Sequence, residues 1–121
     1  MPHLIIYNLC PIDQMPDHLE KIEKILNLAI TGIPELGLTD ADLSYTFVKD
    51  DSVESETIPI VIIVELLFDK PERTFVVRQR LAQSIGRAFH GTIMQWRKNP
   101  PERLEVAVKK FNPEKDGFWS L

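Results

Sequence analysis

Residues 58–68, Ile-Pro-Ile-Val-Ile-Ile-Val-Glu-Leu-Leu-Phe, form an apolar run in which Glu65 is the sole charged residue. The run has no helical period and is rich in β-branched side chains, and Asp69-Lys70-Pro71 follows it. It therefore reads as a strand buried on both faces. Such a strand must lie inside a sheet, with something covering each side. The run also falls well short of the roughly 18 apolar residues that a membrane-spanning helix requires.

The flanking sequence supplies the rest of that sheet. Residues 3–9, His-Leu-Ile-Ile-Tyr-Asn-Leu, predict a first strand ended by Pro11. Over residues 13–31, Leu19, Ile22, Leu26, Ala29 and Ile30 recur at helical spacing, with Pro16 early and Gly32 and Pro34 beyond the end. Leu43, Tyr45 and Phe47 alternate with Ser44, Thr46 and Val48 as a second strand, and residues 49–57 read as a polar loop. After the central run, Asp69-Lys70-Pro71-Glu72 looks like a helix start. Val77, Leu81, Ile85, Ala88, Phe89 and Ile93 then carry a long helix that stops before Asn99-Pro100-Pro101. Leu104, Val106 and Val108 mark a last strand, and the tail 111–121 holds Phe118 and Trp119 as expected packing anchors.

The order strand, helix, strand, strand, helix, strand divides into similar halves. Met1-Pro-His-Leu-Ile-Ile-Tyr7 lies over Ile58-Pro-Ile-Val-Ile-Ile-Val64, and Leu43-Ser-Tyr-Thr-Phe-Val-Lys49 over Leu104-Glu-Val-Ala-Val-Lys-Lys110. A duplicated βαβ unit is the economical reading. Its fold class is an α/β, two-layer α+β arrangement: a four-stranded sheet with both helices on one face. With 121 residues the chain is expected to form a single domain, with 1–50 as the first unit, 58–110 as the second and 111–121 as a tail. The other sheet face then has no cover within the chain, which points to burial in an oligomer.

Charge narrows the partners. Fourteen Lys and Arg residues against 18 Asp and Glu give a formal charge of −4, which favours neither nucleic acid nor an anionic membrane. The single cysteine, Cys10, has no partner for an internal disulfide and reads as a small core or edge residue in a reducing compartment. No basic, apolar leader opens the chain, so a soluble cytoplasmic protein is expected.

The opening Met1-Pro2 strand followed by a duplicated βαβ of this length resembles the tautomerase superfamily, and the resemblance covers the whole chain. Met1-Pro-His-Leu-Ile-Ile-Tyr7 is similar to its 5-carboxymethyl-2-hydroxymuconate isomerase branch. Glu102-Arg-Leu-Glu-Val-Ala-Val-Lys-Lys-Phe-Asn112 with Gly117-Phe-Trp119 is similar to the macrophage migration inhibitory factor branch. Val64-Glu-Leu-Leu-Phe-Asp-Lys70 is similar to a bacterial branch of the same superfamily.

The resemblance implies a mixed sheet with the first two strands parallel neighbours, a homotrimer, and keto–enol proton transfer on a small anionic α-keto or enol acid. It also implies that Met1 is removed, so that the secondary amine of Pro2 becomes the catalytic acid–base group. The chemistry is sound: an α-amino group has a reference pKa of about 7.7–8.0, and an apolar pocket lowers it toward neutrality. Such a reaction needs a cation or donors for the substrate carboxylate and the developing enolate. The superfamily usually has Arg or Lys near the start of the second strand, where this chain has Asp42-Leu-Ser-Tyr45. Ser44, Tyr45 and Lys49 are the donors this strand offers, and Glu105 stands on the last strand with Ala107 where the resemblance implies tyrosine and asparagine.

Other polar residues carry less. His3 and His90 stand alone, with no second ligand at metal spacing, and His18 reads as surface, so no metal site is expected. No glycine-rich phosphate loop is visible, and no cofactor is expected. Arg73, Arg80 and Arg87 form a stripe at seven-residue spacing that reads as a solvated helix face, and Arg78 belongs with them. Glu65 needs a partner, either a hydrogen bond or a subunit contact. Two competitors remain: a non-catalytic trimeric binding or scaffold protein of the same fold, and a ferredoxin-like sandwich in which strands one and three lie side by side in parallel.

Overall fold

The computed structural model describes residues 2–50 and 52–120. The expected loss of Met1 lies outside the described residues. Strand β1 (His3–Tyr7) is followed by a 3-10 turn (Pro11–Gln14) and helix α1 (Pro16–Thr31), and strand β2 (Ser44–Phe47) completes the first half. Strand β3 (Ile60–Phe68), helix α2 (Phe75–Ile93) and strand β4 (Leu104–Phe111) form the second half, and a single helical turn (Pro113–Asp116) follows.

The strands lie in the order β2-β1-β3-β4. Strand β1 runs parallel to β2, antiparallel to β3, and β3 parallel to β4. The antiparallel β1–β3 pair at the centre excludes the ferredoxin-like threading. It also brings the starts of β1 and β2 and the ends of β3 and β4 to one end of the sheet.

Alternation along the strands separates two faces. Leu4 and Ile6 of β1 and Ile60, Ile62 and Val64 of β3 are buried against the helices. They meet Ile22, Leu26 and Ile30 of α1 and Val77, Leu81, Ile85, Phe89 and Ile93 of α2 in one core. On the other face stand His3, Ile5, Tyr7, Val61, Ile63 and Glu65, partly buried, flanked by the exposed edge residues Ser44, Thr46, Glu105, Ala107 and Lys109. No element of the chain covers this face among the described residues, so Val61 and Ile63 of the apolar β3 are left only partly buried.

The duplication is real in architecture but shifted in register. The sequence overlay sets Leu4 on Val61, yet Leu4 is core and Val61 lies on the open face. An overlay that preserves faces sets Leu4 on Ile62 and Ile6 on Val64, so Pro2 answers to Ile60 rather than Pro59. In β3 the alternation breaks once, between Val64 and Leu67, where the register to β4 shifts. Leu66 takes a left-handed φ of 58° there, which turns its side chain outward and returns Leu67 to the core.

Three local expectations need correction. Residue Asp13 does not lie in α1: Pro16 sets the first helical turn, and the preceding residues make the 3-10 turn that buries Asp13 completely. Helix α2 is not capped at Asp69; Thr74 caps it, its hydroxyl accepting from the Val77 N–H at 3.3 Å. Trp119 does not anchor the tail, being 80% exposed. Phe118 does so in part, packing edge-on against Phe68 and Phe111 with ring centroids 5.3 and 5.8 Å away.

Candidate active site

Pro2 lies buried just ahead of β1, and its carbonyl accepts the Ser44 N–H at 3.4 Å. This hydrogen bond extends the β1–β2 ladder by one step and fixes Pro2 at the end of the sheet shared with the start of β2 and the end of β3. Proline suits the position because no ladder donor is required of it there. Beside it, the His3 imidazole lies on the open face between two hydroxyls of β2, with Nδ1 2.6 Å from Ser44 Oγ and Nε2 2.7 Å from Thr46 Oγ1. Hydroxyls both donate and accept, so the two can satisfy the ring in either tautomer.

The expected substrate residues separate. Ser44 lies beside Pro2, with its hydroxyl engaged by His3. Tyr45, its neighbour in the strand, points to the helix layer, where its hydroxyl donates to Asn27 Oδ1 at 2.5 Å. Burial, together with the negative charges of Glu23 and Asp40, pushes its phenol well above the usual range. Lys49 follows the far end of β2, and Glu105 is the second residue of β4, paired in register with Val61; both stand at the end of the sheet opposite Pro2. Within one chain, only Ser44 of this set joins Pro2.

A buried cation stands in the second half of the chain. Arg73 precedes α2 instead of riding on its solvated face, and it is only 5% exposed. Its Nη1 donates to the Phe68 carbonyl and its Nη2 to the Leu36 carbonyl, each at 2.8 Å. Phe68 ends β3 and Leu36 leads into β2, so this guanidinium lies at the end of the sheet where β1 begins. Burial pushes the Arg73 pKa below its ordinary value, offset in part by the carboxylates of Glu72 and Asp42. Asp42 is itself held below the usual carboxyl range by the N–H and hydroxyl of Thr39, 2.8 and 3.1 Å away. Thr74, as the cap of α2, is the signal that could have placed Arg73 outside the helix. Arg80, by contrast, does lie on the exposed side of α2, paired with Glu35.

A second polar cluster, Asp13 with Cys10, Trp96 and Arg97, is deeply buried and away from Pro2. Asp13 Oδ1 accepts from Trp96 Nε1 and Arg97 Nε, both at 2.9 Å, and the other oxygen accepts from Arg97 Nη2 and from the Cys10 N–H at 3.1 Å. It ties the 3-10 turn before α1 to the segment after α2, a scaffold role. Among the described residues, no group of three or more His, Cys, Asp or Glu could hold a metal ion, and no helix is long and apolar enough to cross a membrane.

No protein-family model matches the chain, and no curated protein matches it by sequence. Solved structures do match. A fused 4-OT described as a wild-type asymmetric trimer has 12% identity and a TM-score of 0.64, covering 98% of this chain and 94% of its own. A member of the cis-3-chloroacrylic acid dehalogenase family has 13% identity and a TM-score of 0.68 over 98% of this chain and 81% of its own. A macrophage migration inhibitory factor from Toxoplasma gondii has 13% identity and a TM-score of 0.63 over 98% and 95%. The chain therefore shares the fold of these solved structures.

Proposed function

We propose that this protein is a tautomerase-type enzyme that moves a proton between two positions of a small enol or α-keto carboxylic acid, with the Pro2 amine, freed by removal of Met1, as the group that takes and returns the proton. The observation that carries this reading is the shared position of buried Pro2 and the buried guanidinium of Arg73 at one end of the sheet. Burial disfavours the protonated form of an α-amino group, whose reference pKa is about 7.7–8.0, and so favours the free base. The positive charge of Arg73 favours a substrate carboxylate and the enolate formed when the proton leaves. Ser44 stands next to Pro2 as a hydroxyl donor. No cofactor enters this chemistry.

The active form is a homotrimer. Solved relatives of this fold include fused 4-OT trimers, both symmetric and asymmetric. The open sheet face, with Ile5, Tyr7, Val61 and Ile63 at its centre, gives this chain a reason to associate. Lys49 and Glu105 reach a Pro2 only if a neighbouring copy presents them. The protein works in the cytoplasm.

A non-catalytic trimeric binding protein is the second reading, favoured by two contacts: both terminal nitrogens of Arg73 are spent on backbone carbonyls, and the Ser44 hydroxyl is engaged by His3. The pH dependence of Pro2 labelling by an amine-reactive reagent, on protein whose mass shows Met1 removed, separates the two. An amine pKa below about 7.7 supports the enzyme, and one at or above about 8 supports the binding protein.

A further inference from the structure

Ser44, His3 and Thr46 form a hydrogen-bonded row on the open face, at the end of the sheet where Pro2 lies. The His3 ring of β1 sits between two hydroxyls of β2, with Nδ1 2.6 Å from Ser44 Oγ and Nε2 2.7 Å from Thr46 Oγ1. Glu65 of β3 stands opposite His3 in register but makes no bond to the ring; its carboxylate faces Lys109 Nζ at 4.0 Å. Both ring nitrogens are therefore answered by hydroxyls, which can exchange the roles of donor and acceptor. The row begins beside Pro2, whose carbonyl accepts the Ser44 N–H at 3.4 Å, and ends at the exposed Thr46.

A neutral imidazole carries one N–H, so the row has two arrangements. In the first, Nδ1–H donates to Ser44 Oγ, Nε2 accepts from the Thr46 hydroxyl, and the Ser44 proton is free for an outside acceptor. In the second, the Ser44 hydroxyl donates to Nδ1, Nε2–H donates to Thr46 Oγ1, and Ser44 Oγ offers a lone pair to an outside donor. The bond to His3 thus leaves Ser44 able to meet a substrate oxygen in either form. A keto oxygen, which only accepts, matches the first arrangement, and an enol hydroxyl matches the second.

We propose that Ser44, His3 and Thr46 are a proton relay that serves the substrate oxygen while Pro2 serves the carbon, an inference that rests on the proton-transfer reading of this site. In enolisation the Pro2 amine takes the proton from carbon, the C–H electron pair becomes the carbon–carbon double bond, and the carbonyl oxygen takes the Ser44 proton. Ser44 Oγ takes the Nδ1 proton, Nε2 takes the Thr46 proton, and Thr46 takes one from water. The hydroxide left behind is neutralised by the proton that Pro2 releases. The row ends in its second arrangement, matched to the enol just formed, and water in the vacated site resets it by the reverse shifts. Ketonisation runs the same steps backwards.

The test is ketonisation of enolpyruvate by untagged protein with Met1 removed, beside His3→Gln and Thr46→Val. Glutamine keeps a donor and an acceptor but cannot exchange them as the ring does, and valine removes the far hydroxyl. Each variant should lower kcat by about tenfold or more with KM within about threefold and the melting temperature of the parent. In a Ser44→Ala background His3→Gln should have no further effect. A second readout needs no turnover: in nitrogen NMR of histidine-labelled protein, saturating pyruvate, whose oxygens only accept, should draw His3 into its Nδ1–H form. The relay is overturned if both variants keep the parent kcat, if their losses fall on KM alone, if His3→Gln costs as much without the Ser44 hydroxyl as with it, or if the ring holds its Nε2–H form under pyruvate. Turnover that depends on Pro2 but ignores His3→Gln removes the relay alone. A parent without turnover, or one indifferent to Pro2→Ala, removes the underlying reading and the relay with it.

Discussion

The guanidinium of Arg97 grips both oxygens of the Asp13 carboxylate, joining residues 84 positions apart where neither is more than 6% exposed. Arg97 also donates through Nη1 to the Glu56 carbonyl at 2.6 Å, so the pair joins the 3-10 turn before α1, the loop before β3 and the segment after α2. Burial alone would raise the Asp13 pKa; hydrogen bonds from Arg97 and Trp96 and the charge of Arg97 overcome it and hold the carboxyl below its ordinary value. Removing one partner leaves the other charged and unanswered. Asp13→Ala is expected to lower the unfolding free energy by about 3–5 kcal/mol, measured by urea denaturation at pH 7. Since the folded pKa is depressed, the stabilisation is complete above the unfolded pKa of about 3.9 and is lost as pH falls through the lower folded value. Parent and variant stabilities should therefore converge in strong acid.

Cys10 is a thiol without reactivity. It is 2% exposed, and its Sγ donates to Asp13 Oδ2 at 3.3 Å. Burial first, and then the hydrogen bond and negative charge of Asp13, push its pKa up. Native protein at pH 8 should resist alkylation by iodoacetamide, while urea-unfolded protein should be fully labelled, as read by mass. Rapid native labelling would show that the turn opens.

Tyr45 faces Asn27 rather than the open side of the sheet, and its ring lies 6.4 Å from that of Phe47. Tyr45→Phe keeps the packing and leaves the Asn27 amide oxygen unanswered. The expected cost is about 1 kcal/mol of stability with turnover within twofold of the parent. A loss of turnover larger than tenfold at unchanged stability would return Tyr45 to the substrate.

The open sheet face can be tested with one charge. Ile63 sits at its centre, opposite Ile5 on one side and Ala107 on the other. Ile63→Lys should yield a folded monomer by analytical ultracentrifugation where the parent is expected to sediment as a trimer, because a buried lysine without a partner is too costly at an interface. A trimeric variant would place the interface elsewhere.

Much of this was legible from residue patterns. The period of 3.6 in α1 and α2 and the continuous apolar character of β3 are local signals, and they give the two layers, the open face and the place of Pro2. What was not legible depends on contacts between distant segments. The register of the halves escaped because Pro2 and Pro59 invite an overlay that the burial of Leu4 and Ile62 contradicts. Arg73 escaped because its spacing to Arg80 imitates a helix stripe and Asp69-Lys70-Pro71-Glu72 imitates a helix start, although the cap at Thr74 places it before the helix. The Asp13–Arg97 pair left no local trace, since nothing near Asp13 in sequence hints at a cation 84 residues later.

The role of Pro2 as the acid–base group is tested by the ketonisation of a simple enolpyruvate by untagged protein with Met1 removal confirmed by intact mass. Pro2→Ala, which replaces the secondary ring amine by a primary one, should lower kcat/KM by about 10²-fold or more, the scale of a general acid–base contribution, with its melting temperature nearly unchanged. Equal turnover in the two proteins, or none in the parent with Pro2 shown to be free, would contradict the account.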